Sequence, residues 1–104
     1  MPQVAPGWSS GGNSSTGYWV KDPIGTLRQR GVVNSTVSTG YVVVFPVPFT
    51  NAASVVPVVT SVTVYGHGIG FASVMSGTTS TTQFEVEIGA ESSVDGITWM
   101  AEGY

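Results

Sequence analysis

Cysteine is absent from the 104-residue chain. Its absence excludes disulfide bonds and thiolate metal sites, and it leaves the redox compartment open. Charge is also scarce, since Asp, Glu, Lys and Arg make up 9% of the residues, against about 25% in an average soluble protein. The cations are Lys21, Arg28 and Arg30, too few to neutralise a row of phosphates. The composition therefore argues against nucleic-acid binding.

Long hydrophobic runs are missing as well. No apolar run approaches the roughly 18 residues that cross a bilayer, and the N-terminus lacks the basic region and apolar stretch of a signal peptide. We therefore expect no membrane insertion. The hydrophobic fraction of 41% is too high for a disordered segment, so the chain is expected to bury a modest core. Its low charge is a first indication of an oligomer.

Composition divides the chain in two. Residues 1–17 are rich in Gly, Ser, Pro and Asn and are predicted to form a flexible N-terminal arm or linker. In residues 18–104, Val and Thr dominate, Gly and Pro interrupt, and no helical periodicity is sustained. This pattern predicts an all-β domain, an antiparallel β-sandwich of six or seven strands. The predicted strands include residues 26–33, 41–45, 55–65, 69–76, 83–89 and 97–103.

Two segments predict sharp changes of direction. Pro46 and Pro48 have no backbone N–H and cannot donate hydrogen bonds to a neighbouring strand. The strand that ends at Phe45 must therefore turn there. Phe45 and Phe49 are expected to be buried on either side of the kink, where each ring contributes about 1.5–3 kcal/mol. Residues 94–97 contain an Asp-Gly pair between apolar residues, which predicts a tight hairpin because glycine supplies a positive φ.

Two pairs of like charges have the spacing of one face of a strand. Arg28 and Arg30 are one pair, and Glu85 and Glu87 are the other. Carboxylates two residues apart lie about 6–7 Å from each other, a separation that a glycosidase could use. Cross-strand charge pairing, within a chain or between chains, is the interpretation we prefer.

Catalytic and metal chemistry find little support in the sequence. The chain has one histidine, His67, which lies between two glycines, where nothing in the sequence fixes its tautomer for a catalytic triad. One histidine cannot hold zinc by itself. Three copies could meet on a trimer axis, but an exposed loop histidine is the simpler interpretation. We therefore predict a protein that is not an enzyme, with no catalytic residue, no metal site and no cofactor.

Sugar binding is the functional hypothesis that the loops favour. A sugar offers an apolar face to aromatic rings and hydroxyl groups to polar side chains. The candidate ligand-binding residues are Tyr65, His67, Asp95 and Tyr104. For each aromatic residue, packing against the core or a sister chain is the alternative role.

An ordered set of short motifs resembles one known family. Phe45-Pro46-Val47-Pro48-Phe49 is followed by Phe84 and then by Trp99-Met100-Ala101-Glu102-Gly103. Over residues 18–104 this order resembles the gp53-like C-terminal domain of bacteriophage tail fibre proteins, and it is distantly similar to the H-type lectins. The family pattern often has Gln-Trp-Gly where this sequence has Gln29-Arg30-Gly31.

The resemblance implies a homotrimer at a fibre tip, joined to an upstream tail-fibre shaft. It also implies a place on the virion, outside the cell, and a host cell-surface polysaccharide as the bound partner. Two alternatives stay open. One is a trimerisation or folding-chaperone domain for the shaft that binds no receptor. The other is a free H-type-like lectin, which would more usually carry a signal peptide.

Overall fold

The computed structural model describes residues 7–104, which form ten β-strands and one short 3-10 helix, Ala52–Ser54. Every strand pairing in this part of the chain is antiparallel. The all-β, antiparallel prediction is confirmed, although the strands number ten rather than six or seven. In chain order the strands are β1 (Ser9–Asn13), β2 (Gly17–Lys21), β3 (Leu27–Val33), β4 (Val37–Ser38), β5 (Tyr41–Val44), β6 (Val56–Val62), β7 (Phe71–Val74), β8 (Gln83–Gly89), β9 (Ser93–Val94) and β10 (Gly96–Gly103). The predicted segments correspond to β3, β5, β6, β7, β8 and β10.

The strands form three sheets. A five-stranded sheet has the order β1-β2-β3-β10-β6, a three-stranded sheet has the order β5-β8-β7, and β4 pairs with β9. The two larger sheets pack face to face, because alternate residues of each strand point inward. Phe84 of β8 and Trp99 of β10 meet across the layers, with ring centroids 6.2 Å apart. No helix in residues 7–104 has the length and apolar character needed to cross a membrane.

The proline-containing segment after β5 folds as predicted. Phe45 and Phe49 are both buried, and their rings meet edge to face with centroids 5.0 Å apart. The kinked backbone between them is held by Gln29 of β3. Gln29 Nε2 donates to the Val47 carbonyl oxygen at 2.6 Å, and Val47 N–H donates to Gln29 Oε1 at 3.0 Å. The side-chain amide of Gln29 thus replaces the strand partner that Val47 lacks.

The start of the described chain differs from the predicted flexible arm of residues 1–17. Ser9–Asn13 instead form β1, the edge strand that pairs with β2. Asn13 Oδ1 accepts hydrogen bonds from the backbone N–H groups of Ser15 and Thr16, both at 2.9 Å, and so fixes the connecting turn. A glycine is needed at position 11 because a Cβ there would lie 2.8 Å from Trp19 Nε1. Residues 1–6 of the predicted arm lie outside the described residues.

The predicted Asp-Gly hairpin is wrong. Val94 pairs with Val37 in the two-stranded sheet, whereas Gly96 opens β10 and pairs with Val62 of β6. Asp95 therefore connects two sheets rather than two strands of one hairpin. Gly96 is required by a close approach, because a Cβ there would lie 2.5 Å from the Val33 carbonyl oxygen.

The predicted charge pairing needs a correction too. Arg28 and Arg30 point outward from the five-stranded sheet, and Glu85 and Glu87 lie on the outward-pointing positions of the three-stranded sheet. The core between the layers keeps these pairs apart, so they do not meet within one chain. Arg28 instead contacts Glu102 on the neighbouring strand, with 3.5 Å between Nε and Oε2. Pairing of Arg30 with Glu85 or Glu87 between chains stays a prediction.

Candidate functional site

Two loops meet at one end of the sandwich and bring together residues that are far apart in the sequence. Residues 63–70 join β6 to β7, and residues 90–95 include the loop after β8. His67 Nδ1 lies 3.0 Å from Asp95 Oδ1 and 3.1 Å from Oδ2. We call this part of the molecule the His67 end. Two of the predicted ligand-binding residues are therefore in direct contact there.

The Asp95 carboxylate is anchored by the backbone as well as by His67. The N–H of Val64 donates to Asp95 Oδ2 at 2.7 Å, and the N–H of Asp95 donates to the Val62 carbonyl oxygen at 3.1 Å. The hydrogen bond from Val64 N–H and then the contact with His67 lower the pKa of Asp95 below its ordinary value. Asp95 thus stays ionised and holds the two loops together.

The contact with Asp95 corrects the expectation that nothing fixes the His67 tautomer. Because a carboxylate can only accept a hydrogen bond, His67 Nδ1 carries the hydrogen that points toward Asp95. Nε2 is then directed away from Asp95, and the His67 side chain is 60% exposed. In residues 7–104 no serine hydroxyl is hydrogen-bonded to His67. The pair orients an imidazole toward solvent, where it can accept from or donate to a ligand hydroxyl.

Tyr65 extends from the same loop. The His67 N–H donates to the Val64 carbonyl oxygen at 3.0 Å, and Gly66 has a φ of +92°. These features define a four-residue turn with glycine at the position that requires a positive φ. Tyr65 occupies the turn's outer corner and is fully exposed. An aromatic ring held there by a closed turn is available for stacking on the apolar face of a ligand.

Glu91 is a member of this end that the sequence analysis missed. Its carboxylate lies against Gly68, where any added Cβ would overlap it. Ala90, just before it, has a φ of +70° and is the only non-glycine residue of 7–104 in that backbone region. Such a conformation costs about 1–2 kcal/mol for a residue with a Cβ. The only signal in the sequence was an acidic residue in a loop of small residues.

Tyr104 lies at the opposite end of the molecule, which we call the Tyr104 end. Asp95 precedes β10 and Tyr104 follows it, so the eight residues of that strand, about 26 Å in length, separate them. The Tyr104 backbone carbonyl accepts from the N–H groups of Thr50 and Asn51 at 2.9 and 2.8 Å, while the residue is 56% exposed. The structure thus brings together Tyr65, His67 and Asp95, but not Tyr104.

Across residues 7–104, no three side chains of His, Asp or Glu are grouped so that they could hold a metal ion. The His67 end offers one exposed ring, one oriented imidazole and two carboxylates, groups that can form hydrogen bonds and stacking contacts with a polyhydroxylated ligand.

Comparison with protein families gives one match. Residues 21–104 match the family described as tail fiber protein gp53-like, C-terminal. This match covers most of the chain and confirms the resemblance carried by the Phe45–Phe49 and Trp99–Gly103 motifs. No curated protein sequence matches the chain.

Solved structures of pyocin tail fibres share the fold. An N-truncated R2-type pyocin tail fiber is similar over 93% of this chain and 37% of its own, with a TM-score of 0.69 and 21% identity. A C-terminal part of the R2 pyocin fiber of P. aeruginosa is similar over 93% of this chain and 26% of its own, with a TM-score of 0.63 and 23% identity. An N-truncated R1-type pyocin tail fiber is similar over 92% of this chain and 86% of its own, with a TM-score of 0.57 and 24% identity. The chain thus spans about a third of the R2 fibre structures, and the likeness is one of fold.

Proposed function

Because the chain belongs to the gp53-like tail fibre C-terminal family, we propose that it forms the tip of a tail fibre on a phage or phage-like particle. Three copies assemble there, outside the cell, and the His67 end of each copy binds a polysaccharide of the host surface. The domain acts by binding and carries out no catalysis.

The observation that carries this proposal is the direction in which the chain enters the domain. Ser9 is at the start of β1. Successive strand pairings through β2 and β3 place it level with Gly103, the last residue of β10. The chain therefore enters at the Tyr104 end, and an upstream shaft would join there. The His67 end is at the far end of β10 and faces away from that junction. It is the end of the fibre that would meet a host cell first.

The chemistry of the His67 end supports a sugar as the ligand. The Tyr65 ring can stack on the apolar face of a pyranose, and the apolar surface buried there contributes about 25 cal/mol per Å². The exposed nitrogen of His67 and the carboxylates of Asp95 and Glu91 can bond sugar hydroxyl groups. Each copy binds weakly on such a small surface, and three copies on one axis gain avidity without new contacts.

The test is binding to an array of bacterial O-antigen and capsular polysaccharides. We expect the wild-type protein to bind at least one of them, and Tyr65→Ala to lower the apparent affinity about tenfold or more. His67→Ala removes the partner of Asp95 and is expected to weaken binding as well. The matched control is Tyr104→Ala, because it removes an exposed ring at the other end and keeps the carbonyl that Thr50 and Asn51 use.

Two results would contradict the proposed binding site. If Tyr65→Ala and His67→Ala bind the polysaccharide as tightly as the wild type, the His67 end is not where the ligand binds. If the wild type binds no polysaccharide on the array and no host cell, while its deletion from a whole fibre abolishes trimer assembly, the domain serves assembly alone. That second result would favour the trimerisation or chaperone role.

A further inference from the structure

The outer face of β6 carries an uncharged column of exposed side chains. Outward positions of this strand and its continuation are Val56, Val58, Thr60, Val62 and Val64. The four valines are 43–63% exposed, with Val56 the most open. Over the eight residue steps from 56 to 64 the column is about 26 Å long. We call it the outer column.

The outer column departs from the usual pattern of a sheet face that meets water, as do the exposed Val42, Val44 and Phe71 on the other sheet. An antiparallel sheet with one solvated face normally alternates apolar residues inward with polar residues outward. Here the outward positions are β-branched and mostly apolar, and Met100 on the adjacent strand β10 extends the same surface while 63% exposed. Contiguous exposed apolar surface of this kind marks a contact with another molecule.

We propose that the outer column lies along the three-fold axis, where three copies of this chain meet. This inference rests on the trimer of the proposed function. On a cyclic axis each residue faces its own copies, so a charged residue would face like charges. The outer column contains no charged residue, and the neighbouring Glu102, beside Val56, contacts Arg28. The corresponding face of the three-stranded sheet places Glu85 and Glu87 on its central strand, and three copies meeting there would bring carboxylates together.

The direction of β6 fits the same axis. Val56 lies opposite Glu102 near the Tyr104 end, and Val62 lies opposite Gly96 near the His67 end. The column therefore runs from the end where the chain enters the domain to the end that carries the proposed sugar site. An axis along β6 would continue the axis of a fibre shaft and would direct all three His67 ends the same way. Arg28 and Arg30, two strands away on β3, would flank the contact.

Site-specific cross-linking tests this arrangement, because the sequence contains no cysteine. Thr60→Cys puts one thiol in the middle of the outer column, and Ser73→Cys puts a matched thiol on the outer face of β7 in the other sheet. Each full-length variant is treated with a short trifunctional maleimide and separated on a denaturing gel. We expect most of the Thr60→Cys protein to migrate as a covalent trimer and the Ser73→Cys protein to stay monomeric.

A charged substitution tests the same contact without an added thiol. Val58→Asp would place three carboxylates on the axis and is expected to raise the trimer dissociation constant at least tenfold, while Ser73→Asp leaves it unchanged. Circular dichroism establishes that each variant is folded. Cross-linking of Ser73→Cys but not of Thr60→Cys, in variants that are both trimeric by light scattering, would overturn the axis. An unchanged Val58→Asp trimer would overturn it too, whereas a monomeric wild type would overturn the trimer of the proposed function itself.

Discussion

Gln29 is the residue whose replacement tests the account of the fold most sharply. It is 2% exposed, and its amide makes both hydrogen bonds to the Val47 backbone. Gln29→Ala removes both bonds and leaves an N–H and a carbonyl of the kinked segment without a partner. Each unsatisfied buried group costs about 1–3 kcal/mol. Because Val47 is only partly buried, water can reach it, and we expect a total loss of about 2–4 kcal/mol.

Two further variants separate the hydrogen bonds from simple packing. Gln29→Met keeps most of the side-chain volume and lacks the amide, so it is expected to lose about 2 kcal/mol, close to the lower bound for Gln29→Ala. Gln83→Ala is the matched control. Gln83 is on the outward-pointing face of β8 and has no side-chain hydrogen bond among the described residues, so its loss should stay within about 0.5 kcal/mol.

The assay is equilibrium unfolding in urea, followed by circular dichroism and tryptophan fluorescence. All variants are measured at one protein concentration, because subunit assembly adds to the apparent stability. In a thermal scan the Gln29→Ala loss corresponds to a fall in Tm of roughly 10–20 °C. A Gln29→Met protein that unfolds within about 0.5 kcal/mol of the wild type would refute the argument. The kinked segment would then be held by the packing of Phe45 and Phe49 alone.

Three other substitutions have expected outcomes. Gly31→Ala puts a Cβ 2.5 Å from Trp99 Nε1 and is expected to destabilise the domain by about 1–3 kcal/mol in the same urea assay; a wild-type midpoint would show that the indole can move aside. Asp95 has a lowered pKa in the folded protein, so its stabilising effect is present above the ordinary value of 3.8 and is lost as the pH falls through the lower folded value. The stability difference between wild type and Asp95→Asn should therefore shrink in acid scans, and a difference independent of pH would contradict this. Arg28→Ala breaks an exposed contact with Glu102 and should change stability by less than about 1 kcal/mol; a larger loss would indicate that the pair is buried in the assembly.

The strand pattern could be predicted from the sequence where a two-residue period marks an inner and an outer face. In β3, Leu27 and Gln29 are buried while Arg28 and Arg30 are exposed, as their alternation indicates. β1 could not be predicted in this way, since Gly and Ser give Ser9–Asn13 no strand preference. That strand forms because its backbone pairs with β2, and Gly11 leaves room for the Trp19 ring.

The candidate site was predictable residue by residue but not as an arrangement. Loop composition pointed to His67 and Asp95 separately, and the hydrogen bond between them joins positions 28 residues apart. Nothing in the local residue pattern of either segment indicates that β6 and β10 are neighbours, and it is this pairing that brings the loops together. For the same reason the local pattern predicts an Asp-Gly hairpin at residues 94–97 and a pairing of the β3 charges with those of β8, neither of which forms within the chain.

The most direct test of the fibre-tip account is the mass of the wild-type protein in solution. Multi-angle light scattering across the micromolar range should give three times the 10.8 kDa of one chain, with a circular dichroism spectrum dominated by β-structure. A folded, β-rich species that stays at 10.8 kDa throughout that range would contradict the account, because three-fold assembly underlies both the avidity and the axis along β6.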